Sequence, residues 1–188
     1  MKCAVFIERD GVLNRELQNG LLPRSPASLE EFTVLTEAAR PLAALREAGL
    51  VLLATTNQPG ISEGTLPRRE LDRMHRALHK QLPLDDILVC PHAAADHCPC
   101  RKPKPGLMLE AAFRWHLDLD HSFVISKMWH DAEAAHIAGC TSVLIRSPWN
   151  GSGHHDYVVA SFADAVVRVL RLHEINHTPH GLDERIKT

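Results

Sequence analysis

The stretch Val5–Asn14, VFIERDGVLN, decides the fold of this chain. Three apolar residues run directly into an acid-x-acid-Gly turn, in which Glu8 and Asp10 flank Arg9. An uninterrupted apolar run of this kind is typical of a strand in a parallel sheet that is covered on both faces. The stretch therefore predicts a buried first strand whose carboxyl end carries two acids.

Short apolar runs alternate with amphipathic stretches along the rest of the chain. The predicted strands are Lys2–Ile7, Val51–Thr55, Asp86–Val89, Phe123–Ile125 and Ser142–Ile145. The predicted helices are Glu37–Ala48, Pro67–Gln81, Pro105–His116, Asp131–Ala138 and Ser161–Leu172. This alternation predicts an α/β fold with a doubly wound, Rossmann-like parallel sheet. We expect one domain over residues 1–172 and a C-terminal tail over residues 173–188, where the apolar periodicity is lost.

The composition is that of a globular protein. The chain has 188 residues, of which 45% are hydrophobic and 23% charged, and its formal net charge is −2. This charge gives no basis for binding nucleic acid or an anionic membrane, and the low aromatic content argues against a base-stacking surface. Only five apolar residues separate Lys2 from Glu8, too few for a signal peptide, so a cytoplasmic location is predicted.

Polar residues follow four of the predicted strands, and ligands collect at the carboxyl ends of strands in such sheets. These groups are Glu8-Arg9-Asp10, Thr56-Asn57, Cys90-x-His92 and Ser126-Lys127. Two carboxylates on one turn can serve as nucleophile and general acid/base, or bind Mg²⁺ together with a substrate phosphate. Asp-Gly and Asn are also ordinary turn residues, so each motif taken alone leaves a purely structural interpretation open.

Two further groups offer contacts to a phosphate. Thr56 and Asn57 present a hydroxyl and backbone N–H groups, although a helix N-cap with Asn turn chemistry would look the same. Arg101 and Lys102 supply positive charge, although a lone basic pair is usually solvated surface.

A cysteine-rich loop carries the strongest single motif. Cys90, His92, Cys98 and Cys100 place three thiols and an imidazole within eleven residues, which matches the closed tetrahedral shell of a structural zinc site. His97 competes with His92 for the fourth position, and free cysteines beside an incidental histidine are the alternative. Zinc here would fix a loop that has too few apolar residues to fold by itself.

In this order, the motifs resemble those of the haloacid dehalogenase-type phosphatases. The residues that carry the resemblance are Glu8–Gly11, Thr56–Ile61, Cys90–His92 and Cys98–Pro103. The Cys-Pro-His and Cys-x-Cys-Arg-Lys-Pro blocks are similar to those of the branch that contains heptose-bisphosphate and histidinol-phosphate phosphatases. The resemblance spans nearly the whole chain, and it implies a fold with a minimal cap or none, so that the crevice is open.

The resemblance also implies roles for individual residues. Glu8 occupies the position of the aspartate nucleophile, Asp10 that of the general acid/base, and Asp131 that of the second acid of the last motif. The implied phosphate- and substrate-binding residues are Arg9, Thr56, Asn57, Arg101 and Lys102. The implied zinc ligands are Cys90, His92, Cys98 and Cys100, and the family also uses Mg²⁺ at the nucleophile.

Two departures from the family pattern fall on catalytic positions. Glu8 is one methylene longer than the aspartate that it replaces, and a misplacement of about 1 Å can cost on the order of 100-fold in rate. The family has a metal-binding aspartate after the fourth strand, where this chain has Lys127 or, if a residue is inserted, Ser126. Our hypothesis is that the ammonium of Lys127 replaces Mg²⁺ in a degenerate site of Glu8, Asp10, Lys127 and Asp131. The alternative is that Lys127 turns to solvent and Mg²⁺ binds weakly.

Three functions remain open at this point. The first is a degenerate phosphatase that still binds a phosphorylated small molecule, such as a sugar phosphate, or a protein partner. The second is a working Mg²⁺-dependent phosphatase for a sugar or amino-alcohol phosphate. The third is a zinc-stabilised, non-catalytic interaction module.

The tripeptide Trp129-His130-Asp131 raises the question of a His–Asp pair. Adjacent residues on a helix do not face each other, so no such pair is predicted.

Overall fold

A parallel β-sheet forms the centre of the computed structural model, which describes residues 1–20 and 22–177. Its strands are β1 (Ala4–Glu8), β4 (Val51–Asn57), β5 (Asp86–Cys90), β6 (Phe123–Ser126), β7 (Thr141–Ile145) and β8 (Tyr157–Val159). Within the described residues the strand order is β5-β4-β1-β6-β7-β8, and every neighbouring pair is parallel. The predicted doubly wound α/β class is therefore confirmed.

Five α-helices connect or follow these strands in the described part of the chain. They are α1 (Ala39–Glu47), α2 (Arg68–Gln81), α3 (Gly106–Trp115), α4 (Trp129–Ala138) and α5 (Phe162–His177). Short 3-10 helices lie at Leu29–Glu31, Thr36–Ala38, Pro59–Ile61 and Ala94–Asp96. None of the described helices is long and apolar enough to cross a bilayer.

Both faces of the sheet are covered, which explains why its strands read as continuous apolar runs. In β1, Val5 and Ile7 belong to a core cluster with residues of α1, α2 and α5, whereas Ala4 and Phe6 belong to a second cluster with residues of α3 and α4. Successive side chains of one strand thus feed two separate cores.

The site is positioned by the centre of the sheet. β1 lies between β4 and β6, and Glu8 stands opposite Thr55 in the register with β4. After β1 the chain turns sharply at Gly11, whose φ of +83° is readily adopted only by glycine. The carboxyl ends of the three central strands consequently meet at one edge.

Two features of the fold were not predicted. A small antiparallel hairpin, β2 (Leu17–Asn19) and β3 (Leu22–Arg24), follows β1, and β8 adds an edge strand. Strands of three residues are too short to show alternation, and so they give no sequence signal. Helix α5 extends to His177, beyond the predicted end at Leu172, and the part of the predicted tail after residue 177 lies outside the described residues.

Candidate active site

The carboxyl ends of β1 and β4 border a crevice of about 400 Å³, and the β2–β3 hairpin forms part of its wall. The predicted site residues that line it are Glu8, Asp10, Thr56, Asn57, Arg101 and Lys102. Other lining residues include Arg24, Ser25, Gln58, Met128 and His130. The structure therefore brings most of the predicted catalytic and phosphate-binding residues to one cavity.

Glu8 ends β1 and is only 7% exposed. Its Oε2 atom accepts a hydrogen bond from the Ser126 hydroxyl at 2.7 Å and another from the backbone N–H of Lys127 at 2.9 Å. Burial raises the pKa of Glu8 to about 8, and the charge of Asp131 acts in the same direction, while Lys102 and the two hydrogen bonds oppose the shift. One oxygen of the predicted nucleophile is thus committed to donors inside the protein.

The end of β6 does not support the hypothesis that the Lys127 ammonium replaces the metal. Lys127 contacts Glu8 through its backbone N–H, and the residue lines a separate cavity of about 430 Å³ together with Gly11 and Phe162. Among the described residues, Lys127 forms no ion pair with Glu8, Asp10 or any other acid. The side chain that contacts Glu8 is that of the fully buried Ser126.

The structure also does not support the predicted contact between Arg9 and substrate. The Arg9 side chain is fully buried and is not part of the crevice lining. Its Nη2 atom donates to both oxygens of Asp10, at 2.9 and 3.1 Å, and its Nε atom donates to Asp10 Oδ1 at 3.0 Å. Arg9 therefore anchors the predicted general acid/base from behind the crevice.

A histidine completes this buried arrangement around Arg9. Nη1 of Arg9 lies 3.0 Å from Nε2 of His75 on α2, and the guanidinium lies 5.4 Å from the centre of the Phe32 ring. Burial and the Arg9 charge lower the pKa of His75 to about 3, so its ring is neutral and Nε2 accepts the hydrogen bond. Sequence reasoning missed His75, because a single histidine in an amphipathic helix gives no functional signal.

Asp10 is held by neutral donors as well as by Arg9. Its Oδ2 atom accepts from the Ser25 hydroxyl at 2.8 Å and from Nε2 of Gln58 at 3.0 Å. Burial alone would raise the pKa of Asp10, but Arg9 and the Ser25 hydroxyl keep it below its ordinary value. Gln58 also donates to the hydroxyl of Thr56 at 2.7 Å, so it fixes two predicted site residues, although the sequence analysis gave it no role.

Asn57 connects the end of β4 to the basic pair. Its Oδ1 atom accepts from the backbone N–H of Lys102 at 3.2 Å, and its Nδ2 atom donates to the backbone carbonyl of Lys102 at 3.3 Å. This two-point contact sets the position of Lys102 relative to the sheet. Asn57 thus acts on the phosphate site at least partly through the residue that it holds.

The cation that contacts an acid at this site is the Lys102 ammonium, which pairs with Asp131. Its Nζ atom lies 2.5 Å from Asp131 Oδ1 and 3.5 Å from Thr55 Oγ1, with the Lys102 side chain 2% exposed and Asp131 fully buried. Burial would raise the pKa of Asp131, but Lys102 and His130 lower it to about 2. Asp131 is therefore ionised, and it forms a buried ion pair with Lys102.

The structure places His130 next to Asp131, although the sequence analysis predicted no His–Asp pair. Its Nδ1 atom lies 2.9 Å from Oδ2 of Asp131. The contact falls outside hydrogen-bond geometry, and both atoms are buried without a hydrogen-bond partner among the described residues. The argument from helix geometry applies to the middle of a helix, whereas His130 and Asp131 are the second and third residues of α4.

The predicted zinc ligands come together. The ligand atoms of Cys90, His92, Cys98 and Cys100 all lie within 4.8 Å of one another, with S···S distances of 3.3–3.6 Å. With Zn–S bonds of about 2.3 Å, a tetrahedron has edges of about 3.8 Å, so the cluster could hold a zinc ion. His92, rather than His97, supplies the nitrogen, because its Nδ1 atom lies 3.3 Å from the Cys100 sulfur.

The cysteine cluster is connected directly to the crevice. Nη1 of Arg101 donates to the backbone carbonyl of His92 at 3.1 Å. At the other end of the loop, a Cβ atom on Gly106 would lie 2.4 Å from the Pro99 carbonyl oxygen, so α3 packs closely against the loop only because this residue is glycine. The loop that holds the cluster therefore also carries Arg101 and Lys102.

The oxygens available to Mg²⁺ are few. Oε2 of Glu8 takes two internal donors, both oxygens of Asp10 bind Arg9, and Ser126 stands where an acid would be needed. In the described part of the chain, the only group of three or more His, Cys, Asp or Glu ligands within 4.8 Å of one another is the cysteine cluster.

Comparisons with known proteins identify the relatives of this chain. A family model described as HAD-hydrolase-like matches residues 99–165. A D-glycero-alpha-D-manno-heptose-1,7-bisphosphate 7-phosphatase from Mycobacterium bovis is 34% identical over 159 residues, which cover 78% of this chain and 81% of the relative. A D-glycero-beta-D-manno-heptose-1,7-bisphosphate 7-phosphatase from Bordetella bronchiseptica is 30% identical over 148 residues, or 76% of this chain and 80% of the relative.

Structural similarity leads to the same group. The crystal structure of the D,D-heptose 1,7-bisphosphate phosphatase from B. bronchiseptica, complexed with magnesium and phosphate, superimposes with a TM-score of 0.77 at 28% sequence identity. The match covers 91% of this chain and 99% of that one. The predicted family is thus confirmed: this chain belongs to the haloacid dehalogenase-like hydrolases and is homologous to their heptose-bisphosphate phosphatases.

Proposed function

We propose that this protein binds a phosphorylated sugar in its crevice and that its hydrolysis of the phosphate ester is impaired. The observation that carries the proposal is the contact of Glu8 with the Ser126 hydroxyl and the Lys127 N–H, at 2.7 and 2.9 Å. A nucleophile needs a free oxygen aligned with the phosphorus atom, whereas here one oxygen is engaged, and the residue of β6 that contacts it is Ser126 rather than a metal-binding acid.

Phosphate binding is supported by four residues that line the crevice, which we call the binding side: Thr56, Asn57, Arg101 and Lys102. Thr56 and Lys102 are nearly fully buried at the crevice and are held by Gln58, Asn57 and Asp131. Fixed donors and cations of this kind bind phosphate without paying for reorganisation. The relatives act on heptose bisphosphates, so we infer a heptose bisphosphate or a similar sugar phosphate as the ligand.

We call a second group of residues the catalytic side: Glu8 and Asp10, which line the crevice, and Ser126 and Lys127, which hydrogen-bond to Glu8. Weak Mg²⁺ binding is part of the proposal, because this side lacks the acid at the end of β6 and its remaining carboxylates already have donors. A protein partner remains a further prediction, for which the crevice offers no specific support.

One observation favours an active, Mg²⁺-dependent phosphatase as the second candidate. Asp10, Thr56 and Lys102, which the resemblance assigns to the general acid/base and the phosphate contacts, all line the crevice, and Asp131 pairs with Lys102. A glutamyl phosphate is chemically feasible, and Mg²⁺ held by Glu8 and Asp10 would supply charge neutralisation at the transferring phosphoryl group.

A paired measurement separates the two candidates. Thermal unfolding is followed with D-glycero-D-manno-heptose 1,7-bisphosphate and with inorganic phosphate, with and without Mg²⁺, while phosphate release is measured in the same samples. The proposal expects both ligands to raise the melting temperature, with little dependence on Mg²⁺ and without catalytic phosphate release. Turnover that requires millimolar Mg²⁺ would favour the second candidate, and the absence of any ligand-induced stabilisation would contradict the proposed binding.

A further inference from the structure

Gln58 lies directly after β4 and connects the binding side to the catalytic side. It is 1% exposed and lines the crevice. Its backbone N–H donates to the Cys90 carbonyl at 2.7 Å, and its own carbonyl accepts from the Ile61 N–H at 3.2 Å. The backbone is therefore held on both sides of the Cα atom, so that the side chain starts from a fixed point.

The contact with Asp10 identifies the nitrogen end of the Gln58 amide. The amide atom 3.0 Å from Asp10 Oδ2 has to be a donor, because Asp10, with its lowered pKa and its contact with Arg9, is an ionised carboxylate that can only accept. This atom, Nε2, also lies 2.7 Å from Thr56 Oγ1 and 3.2 Å from Ser25 Oγ. An amide nitrogen has two hydrogens, and the two nearer acceptors are Asp10 and Thr56. Gln58 therefore donates to both of them.

This donation restricts the Thr56 hydroxyl. The oxygen uses a lone pair to accept the Gln58 N–H, so its own hydrogen has to point elsewhere. The only hydrogen bond that this hydroxyl donates within the described residues is a long one, 3.4 Å to Asp10 Oδ2, which already accepts from Ser25 and Gln58. The Thr56 hydrogen is therefore available to an acceptor in the crevice, which Thr56 also lines.

We propose that Gln58 is a positioning residue that makes Thr56 a donor to a phosphoryl oxygen of the bound ligand. The oxygens of a phosphate-ester dianion are acceptors, so a hydroxyl binds them well only when its hydrogen faces them. A Thr56 hydroxyl without the Gln58 contact can instead turn its hydrogen to Asp10 and present a lone pair to the phosphate. Gln58 thus raises the affinity for phosphate without contacting it. This inference rests on the proposed function, because it uses the phosphate site of the same crevice.

A double-mutant cycle with inorganic phosphate as the probe tests the inference. Phosphate affinity is measured by calorimetry on the wild type, Gln58→Met, Thr56→Val and the double variant. Thr56→Val should bind roughly tenfold more weakly, as for a lost hydrogen bond to a charged group, and Gln58→Met roughly two- to tenfold more weakly, as for a neutral one. In the Thr56→Val background, Gln58→Met should cause no further loss, because Gln58 acts through the Thr56 hydroxyl.

Gln81→Met is the matched control. Gln81 also donates through Nε2, to the Ala77 carbonyl at 3.2 Å, but it is exposed on α2 and is not part of the crevice lining. This variant should bind phosphate as tightly as the wild type.

The outcomes separate this inference from the proposed function. Equal phosphate affinity in Gln58→Met and the wild type overturns the inference, and so does a double variant that loses the product of the two single effects, since the two residues would then act independently. Either result leaves the proposed function intact, because the wild type still binds phosphate. A wild type that does not bind phosphate overturns both.

A second measurement uses the unmodified chain and does not depend on whether the variants fold. A crystal structure with inorganic phosphate should place a phosphate oxygen within about 3.0 Å of Thr56 Oγ1. Nε2 of Gln58 should remain within hydrogen-bond distance of the same Thr56 oxygen. A bound phosphate beyond hydrogen-bond distance of Thr56, or a Gln58 amide turned away from Thr56, would contradict the inference.

Discussion

The binding side and the catalytic side differ in what their polar groups contact. On the binding side, partners from behind hold Thr56 and Lys102 in place while both residues still line the cavity. On the catalytic side, Glu8 gives an oxygen to Ser126 and Lys127, and Asp10 takes donors from Arg9 and Gln58. The binding side is therefore preorganised for a ligand, and the catalytic side satisfies much of its own hydrogen-bonding capacity. Binding and catalysis can thus change separately even within one small cavity.

The largest effect should come from the cysteine cluster, which supports the binding side. Cys98→Ser should remove zinc and release the loop that carries Arg101 and Lys102. A structural zinc site contributes on the order of 10 kcal/mol to folding; for a loss of even about 4 kcal/mol, the melting temperature should fall by roughly 10 °C. Zinc content by mass spectrometry and thermal unfolding check this. His97→Asn is the control, because His97 is exposed with a φ of 47° that asparagine tolerates, and it should retain about one zinc per chain.

The second effect tests the buried ion pair. Lys102→Met leaves Asp131 charged and unpaired in the core, which should cost about 3–5 kcal/mol of unfolding free energy and abolish stabilisation by phosphate. Lys80→Met, on an exposed position of α2, should change neither by more than about 0.5 kcal/mol. Urea unfolding with and without phosphate measures both. If phosphate still stabilised Lys102→Met, Lys102 would not be one of the phosphate-binding residues.

The third effect tests the state of Glu8. Its pKa rises from 4.5 in the unfolded chain to about 8 in the folded one, so between these values the folded chain keeps a proton that the unfolded chain loses, and stability falls as pH rises. Glu8→Gln should remove this loss and gain up to roughly 4 kcal/mol over the wild type between pH 5 and pH 8. Glu110→Gln on α3, an exposed position, should follow the wild-type pH profile. A Glu8→Gln profile parallel to that of the wild type would mean that Glu8 is ionised throughout.

The smallest effect compares the two residues at the end of β6. Ser126→Ala removes a buried hydrogen bond to Glu8 and should cost about 1–2 kcal/mol. Lys127→Ala keeps the backbone N–H that contacts Glu8 and should cost less than about 0.5 kcal/mol. Denaturant unfolding at constant pH distinguishes them. A larger loss of unfolding free energy in Lys127→Ala than in Ser126→Ala would mean that the Lys127 side chain takes part in the site.

The sequence predicted the features that depend on local patterns, but not the contacts that depend on residues far apart in the chain. The strand ends and the cysteine cluster were predictable because parallel strands bring their carboxyl ends together and because metal-ligand spacing is local. The contact partners were not predictable. Arg9 was expected in the crevice but binds Asp10 from outside the crevice lining, and the Lys127 ammonium was expected at the acids, whereas Lys127 contacts Glu8 through its backbone N–H. Side-chain direction depends on packing from distant elements such as α2, which brings His75 to Arg9.

The central claim is that the binding side is intact and the catalytic side is not. The most direct test is Mg²⁺-dependent phosphate release from D-glycero-D-manno-heptose 1,7-bisphosphate by the wild type, by Glu8→Asp, and by Glu8→Asp combined with either Ser126→Asp or Lys127→Asp. We predict no catalytic phosphate release by the wild type. At least one double variant should release phosphate, because it restores both the aspartate nucleophile and the metal-binding aspartate. Mg²⁺-dependent turnover by the wild type at a rate equal to that of the double variants would contradict the account.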